Sequence, residues 1–189
     1  MSLLFSYLNY NHHMQRFRVI LYTLFLWTLI IQTQRINIDS LVRESNQLKN
    51  DTSKLVYFRT ISRIYAELNP DSAYYYSEKV LQLARQMNFK LDESCAFREM
   101  GYALLNRSNY PRSLQTILSA LTILENTESE KVVLVGEFPG DDPISHRKAP
   151  PHLQRLSEIG FTHQILGILY ANSNNFEKSK HHHLLARQY

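Results

Sequence analysis

The sequence predicts an all-α fold: an α-solenoid of about three helical hairpins that follows an N-terminal hydrophobic segment. Three observations predict it. Apolar residues recur at helical spacing through most of the chain, one residue pattern occurs three times, and the first 35 residues contain a long apolar run. The chain has 189 residues, of which 44% are hydrophobic, which suffices for one folded domain and a targeting segment.

Residues 1–35 have the pattern of a signal peptide or a signal anchor. Arg16 and Arg18 precede the apolar run 19–31, VILYTLFLWTLII. A signal peptide has an apolar core of about 7 to 15 residues, whereas a membrane-spanning helix needs about 20. The length favours a signal peptide, but residues 31–33 lack the small side chains of a cleavage site. An uncleaved anchor and a buried core helix therefore stay open as alternatives.

Residues 36–50 predict a short amphipathic helix, with Asp39 or Ser40 as its cap and Ile38 and Leu41 on its apolar side. We expect this helix to cover the open end of the first hairpin, because the terminal units of a repeat array need a polar cap. Residues 49–53 are the expected link, and the range 51–189 holds the hairpins.

The stretch 91–126 predicts two helices joined by a turn at Arg107-Ser108-Asn109. Asn109 is the expected N-cap, and Pro111 falls in the first turn, where a missing N–H costs little. Glycine inside a helix costs about 1 kcal/mol relative to alanine, so Gly101 indicates a close approach of the two helices. The residues of the two contacting faces are Phe97, Met100, Gly101, Leu104, Tyr110, Ser113, Ile117 and Ala120.

This pattern resembles the tetratricopeptide repeat, and it recurs. The C-terminal copy comprises His163, Leu166, Gly167, Tyr170, Phe176, Ser179, His183 and Ala186. A weaker copy covers 57–84, where Ile61 replaces the glycine, so we expect that helix pair to sit further apart. Ala73 and Ser113 are 40 positions apart, and Ser113 and Ser179 are 66 apart. An ordinary helical bundle with glycines at these positions by chance is the alternative.

The spacing from Ser113 to Ser179 exceeds that from Ala73 to Ser113, and the extra residues match an irregular insertion at 127–151. The insertion contains a β-like run, 131–135, followed by a stretch rich in proline and glycine, which opposes regular structure. A loop of this length either has a function or is mobile. We expect it to fold over the concave face of the array, with a mobile excursion as the alternative.

The order of the N-terminal parts extends the resemblance. An apolar segment, the IDSL helix, the NDT link and NPDSAYYYSEKVLQLA together resemble the sensor region of bacterial membrane-bound histidine kinases and helix-turn-helix regulators. The resemblance implies export to the periplasm, or anchoring to the inner membrane through residues 19–31, and a place in signal transduction. The chain has no phospho-acceptor histidine motif and no nucleotide-binding glycine motif, so kinase activity is not implied.

The repeat template places nine residues on the concave face of the array. They are Phe58, Ser62, Tyr65, Arg98, Tyr102, Asn106, Gln164, Ile168 and Asn172. Amide, guanidinium and phenol groups suit recognition of an extended peptide, because they bond its backbone and offer rigid contact area. The predicted partner is a protein or peptide, and a plain solvated face is the alternative.

No residue pattern predicts catalysis, a metal site or a cofactor. Successive residues of a helix point about 100° apart, so His181, His182 and His183 cannot converge on one ion. Cys95 excludes an internal disulfide because it is the single cysteine, and Arg98 is expected to lower its pKa slightly. A net charge of +4 without a dense basic block argues against nucleic acid.

The sequence therefore predicts an exported or membrane-tethered protein- or peptide-binding scaffold or sensor module without catalysis of its own. The first alternative is the sensory region of a signalling protein whose output domain is absent from this chain. The second is an enzyme that uses the C-terminal histidines. We also expect the last helix, from Asn175, to fray or self-associate, because nothing caps it.

Overall fold

The computed structural model describes residues 37–134 and 149–189, and these fold into seven α-helices without a strand. The helices are α1 (Ile38–Gln47), α2 (Asp51–Leu68), α3 (Pro70–Gln86), α4 (Lys90–Asn106), α5 (Tyr110–Glu125), α6 (Pro151–Asn172) and α7 (Phe176–Ala186). The predicted all-α class is thus confirmed for these ranges. The predicted hydrophobic segment lies outside them. Within them, no helix has both the length and the apolar character that crossing a membrane requires.

The helices pack in an asymmetric way. Each helix contacts the next one along the chain, and in addition α2 contacts α4 and α4 contacts α6. Within the described residues, α3 and α5 do not contact each other, and neither do α5 and α7. The first helices of successive pairs are therefore neighbours, whereas the second helices are spread apart.

Helix α1 packs against α2, on the first hairpin α2–α3. Its Leu41 is buried, and Ser45, also buried, donates a hydrogen bond to the carbonyl of Val42. The link that follows is shorter than predicted. Asn50 caps α2 by accepting hydrogen bonds from the amides of Thr52 and Ser53, so residues 51–53 belong to the helix.

Three of the connecting turns have the same backbone form. A residue with positive φ follows α3, α4 and α6: Asn88 at 58°, Ser108 at 57° and Asn174 at 58°. In each turn, the next amide donates to the carbonyl five residues earlier, as a Schellman motif requires. Hairpins α4–α5 and α6–α7 therefore have matching turns, 66 positions apart.

The helix starts follow from local sequence. Asn69 accepts hydrogen bonds from the amides of Asp71 and Ser72, and Pro70 begins α3. At α5, Asn109 occupies the predicted N-cap position, but its side chain makes no capping hydrogen bond. Pro111, with its fixed φ, lies in the first turn as predicted.

The insertion begins with structure that was not predicted. Thr127–Glu130 forms a 3₁₀ turn, and residues 131–134 of the expected β-like run are not a strand. Leu134 is instead buried in an apolar cluster with Leu55 and Val80. The β-like pattern was misleading because Val133 and Leu134 pack in two different apolar clusters while Val132 is exposed. The remainder of the run lies outside the described residues.

The turn after α4 generates a test of local strain. Ser108 has a φ of 57°, which costs an L-residue free energy that glycine does not pay. We expect Ser108→Gly to raise the free energy of unfolding by about 0.5 to 1 kcal/mol, measured by urea denaturation. The matched control is Ser119→Gly inside α5, which should lower it by about 0.5 to 1 kcal/mol. A loss of stability in Ser108→Gly would contradict the described turn.

Candidate interaction surface

The two glycines of the repeat pattern lie at matching contacts between paired helices. A Cβ atom added at Gly101 would overlap Ile117 Cγ1, and one added at Gly167 would lie 2.6 Å from Cε1 of His183. In both hairpins, a residue of the first helix therefore meets the residue 16 positions later. The predicted close approach is present at both glycines.

The first hairpin has the opposite sizes at the corresponding positions, Ile61 and Ser77. Ile61 is fully buried, and Ser77 is small. We expected these helices to sit further apart. The helices are joined by hydrogen bonds: Ser62 Oγ donates to the carbonyl of Ala73 at 3.1 Å and lies 2.6 Å from Ser77 Oγ.

The structure does not place the first predicted groove residues on an inward face. Ser62 is buried against α3, and the rings of Phe58 and Tyr65 lie 5.8 and 6.0 Å from that of Tyr76 on α3. All three side chains thus lie next to α3; Ser62 is buried there, while Phe58 and Tyr65 keep part of their surface exposed. The residues of α2 that face α4 are shifted by one position from the predicted ones, so that Arg59, and not Phe58, points toward α4.

The second set of predicted groove residues joins α4 to α2. The hydroxyl of Tyr102 donates to the carboxylate of Glu67, and the amide of Asn106 donates to the carbonyl of Ala66 at 2.9 Å. Arg98 belongs to an ionic cluster described below. Tyr102 is half-buried and Asn106 is exposed, so both retain accessible surface.

The third set lies on α6. Gln164 and Asn172 are exposed, while Ile168 is half-buried against the core. Phe161, which sequence reasoning missed, shares this stripe at helical spacing and is 40% exposed. Its ring stands 5.5 Å from the guanidinium of Arg98, which brings the stripes of α4 and α6 together. We call this surface the inner face; it comprises Arg98, Tyr102, Asn106, Phe161, Gln164 and Asn172.

Arg98 of the inner face also belongs to an ionic cluster that lies below the exposed side chains and links three helices. Arg59 on α2 bonds Asp92 on α4 at 2.6 Å and Glu158 on α6 at 3.1 Å. Arg98 forms ion pairs with the second oxygen of Glu158, at 3.3 Å, and with Glu99, at 2.9 Å. The side chains of Asp92 and Glu158 are almost fully buried, and the two arginines are 13% and 14% exposed.

This cluster fixes the arrangement of α2, α4 and α6. Arg59 and Glu158 are 99 positions apart, and their ion pair reaches across α4 from one outer helix to the other. A buried charge is tolerated only in good geometry with its partner, so a shift of any one helix would leave an uncompensated charge. Burial raises the pKa of Asp92, and the ion pair with Arg59 opposes that rise.

Cys95 lies next to this cluster and is buried. Arg98 was expected to lower the pKa of Cys95; it does act in that direction, but the pKa as a whole is raised. Burial raises the pKa of the Cys95 thiol well above its ordinary value, and the nearby Arg59 and Arg98 only reduce that rise. The thiol is therefore protonated at neutral pH and lacks the thiolate character of a nucleophile.

The C-terminal histidines point in different directions, as predicted. His183 covers Gly167, while Nδ1 of His182 lies 3.1 Å from Nδ1 of His163 on α6. His163 was predicted only as a repeat position, so this pair was missed. Among the described residues, no group of three or more His, Cys, Asp or Glu side chains is placed to hold a metal ion.

A separate open pocket of about 360 Å³ lies where α1, α2 and α3 meet. Its lining includes Lys54, Lys79, Asn46 and Gln82. The ammonium of Lys79 stands 5.6 Å from the ring of Phe58 and 4.8 Å from that of Tyr75. The lysines are thus held by neighbouring groups of the chain itself, and the lining does not select a ligand chemistry.

The first hairpin has a large residue followed by a small one, Ile61 and Ser77, where the second has Gly101 and Ile117. This reversal provides a test of the shared register. We expect Gly101→Ile to lower the free energy of unfolding by about 2 to 3 kcal/mol, because the added side chain overlaps Ile117. Adding Ile117→Ser reproduces the Ile61 and Ser77 combination of the first hairpin. The double variant should then lose less free energy of unfolding than the two single variants lose together, by more than about 1 kcal/mol. Additive effects in urea denaturation would contradict the matched register of the hairpins.

The comparisons with known proteins add no relative. No protein-family model matches the chain, and no curated protein or solved structure matches it either. The arguments about function therefore depend on the geometry described above.

Proposed function

We propose that this chain is a scaffold of tetratricopeptide-like repeats that binds a protein or peptide and performs no catalysis. The observation that carries the proposal is the asymmetric packing of the helices. Helices α2, α4 and α6 contact one another in sequence, whereas α3, α5 and α7 do not. An array in which the first helices are closer than the second ones bends toward the first helices, as an α-solenoid does.

The repeated local geometry supports the same proposal. Gly101 with Ile117 and Gly167 with His183 are equivalent contacts, and the Schellman turns at Ser108 and Asn174 are equivalent too. Both equivalences have the same spacing of 66 positions. A chance pair of glycines in an unrelated bundle would not share both the helix contact and the turn.

The inner face has the chemistry of a peptide-binding surface. The amides of Gln164 and Asn172 each offer donors and an acceptor to an extended backbone, whereas the amide of Asn106 already donates to the carbonyl of Ala66. The rings of Tyr102 and Phe161 offer contact area that loses little entropy on binding. Since the ionic cluster lies directly below, the face is supported by a rigid layer, which favours binding without rearrangement.

Export or membrane attachment through residues 19–31 belongs to the same proposal. It is supported by the basic residues Arg16 and Arg18 ahead of an apolar run. A protein-binding module with such a segment would act as a receptor part or as an assembly scaffold at the membrane. A role as a sensory region of a signalling system fits within this reading.

The binding proposal is tested with one substitution on each side of the array. Gln164 lies exposed on the inner face, and Gln115 lies exposed on α5, a second helix. We expect Gln164→Arg in the tagged full-length chain to reduce capture of its partner from detergent extracts about tenfold, because Arg removes the amide acceptor. Gln115→Arg should leave capture unchanged.

Quantitative mass spectrometry of the captured proteins measures both effects. Both substitutions replace an exposed amide with the same side chain, so melting temperatures should agree and a folding defect can be recognised. Equal capture by both variants, or loss in Gln115→Arg alone, would refute the assignment of binding to the inner face.

A further inference from the structure

The contact between α6 and α7 buries few side chains of α7 completely. Ser179 is the single residue of α7 that is buried, and Phe176 and Leu184 of the same helix are largely exposed. Outside the histidines, Ala186 and Tyr189 lie close to Gly160, and the ammonium of Lys178 stands 5.2 Å from the ring of Tyr170. His183 covers Gly167, and His182 reaches His163. Because Leu185 and Ala186 are only half-buried, the histidines contribute a substantial part of the contact that holds α7.

The histidine pair has the geometry of a hydrogen bond between two rings. The Nδ1 atoms are 3.1 Å apart and the ring centroids 5.2 Å apart, so the two nitrogens point almost directly at each other. A chelated metal ion lies about 2.0 to 2.1 Å from each nitrogen and needs both lone pairs turned to a point beside that line. The arrangement favours one N–H donating to one bare nitrogen.

Such a bond tolerates at most one protonated ring. If both rings are protonated, an N–H faces an N–H, and two positive charges lie in contact. Most of the charged neighbours oppose even the first proton, whereas Glu125 favours a proton on His163. His181, His183 and Lys178 on α7 are basic, the rings of Tyr170 and Tyr189 stack on His182 and His163, and Glu125 on α5 is the acid that acts on His163.

Both histidines resist protonation in the folded protein. Burial lowers the pKa of His182 to about 4, and repulsion from His163, His181, His183 and Lys178 contributes. Burial also lowers the pKa of His163. When α7 leaves α6, both rings return toward the ordinary pKa of 6.5 and take up protons more readily. The contact is thus fully stable above pH 6.5 and weakens as pH falls from 6.5 toward 4.

We propose that His163 and His182 form a pH-sensitive latch, which holds α7 against α6 near neutral pH and releases it on mild acidification. Release exposes the side of α6 around Gly167, where His183 now lies. The same change would open the C-terminal end of the array to a partner in an acidic surrounding. The latch is independent of the inner face, so its test does not depend on the binding proposal.

The test measures amide hydrogen exchange of the full-length chain in mild detergent at pH 7.5 and pH 5.0, corrected for the intrinsic exchange rate. We expect protection of the α7 amides, taken relative to those of α4, to fall about tenfold at pH 5.0, after allowance for solvent screening. The α4 amides are the internal control, because they report unfolding of the whole array.

Two variants separate the latch from general acid sensitivity. In the double variant His163→Asn with His182→Asn, the shorter amides keep a donor and an acceptor that do not titrate, so the relative protection of α7 should change less than about twofold. His152→Asn replaces an exposed histidine in the first turn of α6 and should behave as the wild type. Unchanged relative protection in the wild type, or an equal fall in wild type and double variant, would overturn the proposal.

Discussion

The ion pairs of Arg59 are the interaction on which the rest of the arrangement depends. One guanidinium on α2 reaches a carboxylate on α4 and another on α6, and Arg98 completes the set from α4. Apolar contacts between helices tolerate small slides, since their free energy depends mainly on area. A buried ion pair does not, because its partner must stay within bonding distance. The cluster therefore fixes how three first helices lie side by side.

The same helices differ in accessibility along their length. Where Asp92 and Glu158 lie, the charged side chains are almost fully buried and paired with Arg59. Toward the C-terminal end of α4, the half-buried Tyr102 and the exposed Asn106 offer polar groups to solvent. The same helices thus provide a closed, rigid part and an accessible part. The proposed binding without rearrangement requires both.

The sequence predicted what is encoded locally. The spacing of Gly101 and Gly167 within apolar stripes predicted the helix pairs, and asparagine and proline predicted where α3 and α5 begin. It did not predict the ionic cluster, because the partners of Arg59 lie 33 and 99 positions away. The visible signal was a carboxylate, Glu158, on the apolar side of a helix next to Ile159. A carboxylate at such a position indicates a buried charge, but the sequence does not show which residue pairs with it.

The stripe of α2 that faces α4 was predicted one residue off, which rotates it by about 100°. The repeat pattern could not correct this rotation. In the other hairpins a glycine opposite a large residue marks the register, whereas here the large residue, Ile61, comes first and the small one, Ser77, second. The histidine pair was missed for a similar reason. His181, His182 and His183 were considered among themselves, whereas the partner of His182 lies on another helix. Contacts between helices are tertiary information that periodicity within one helix does not contain.

The most direct measurement of the central claim is a double-mutant cycle on Arg59 and Glu158, with the substitutions Arg59→Met and Glu158→Gln and urea denaturation. If the ion pair holds α2 and α6 in place across α4, the coupling energy will exceed about 1 kcal/mol. The exposed pair of Lys131 and Glu128 serves as the control and should couple by less than about 0.5 kcal/mol. Additive effects at Arg59 and Glu158, within about 0.5 kcal/mol, would contradict the account.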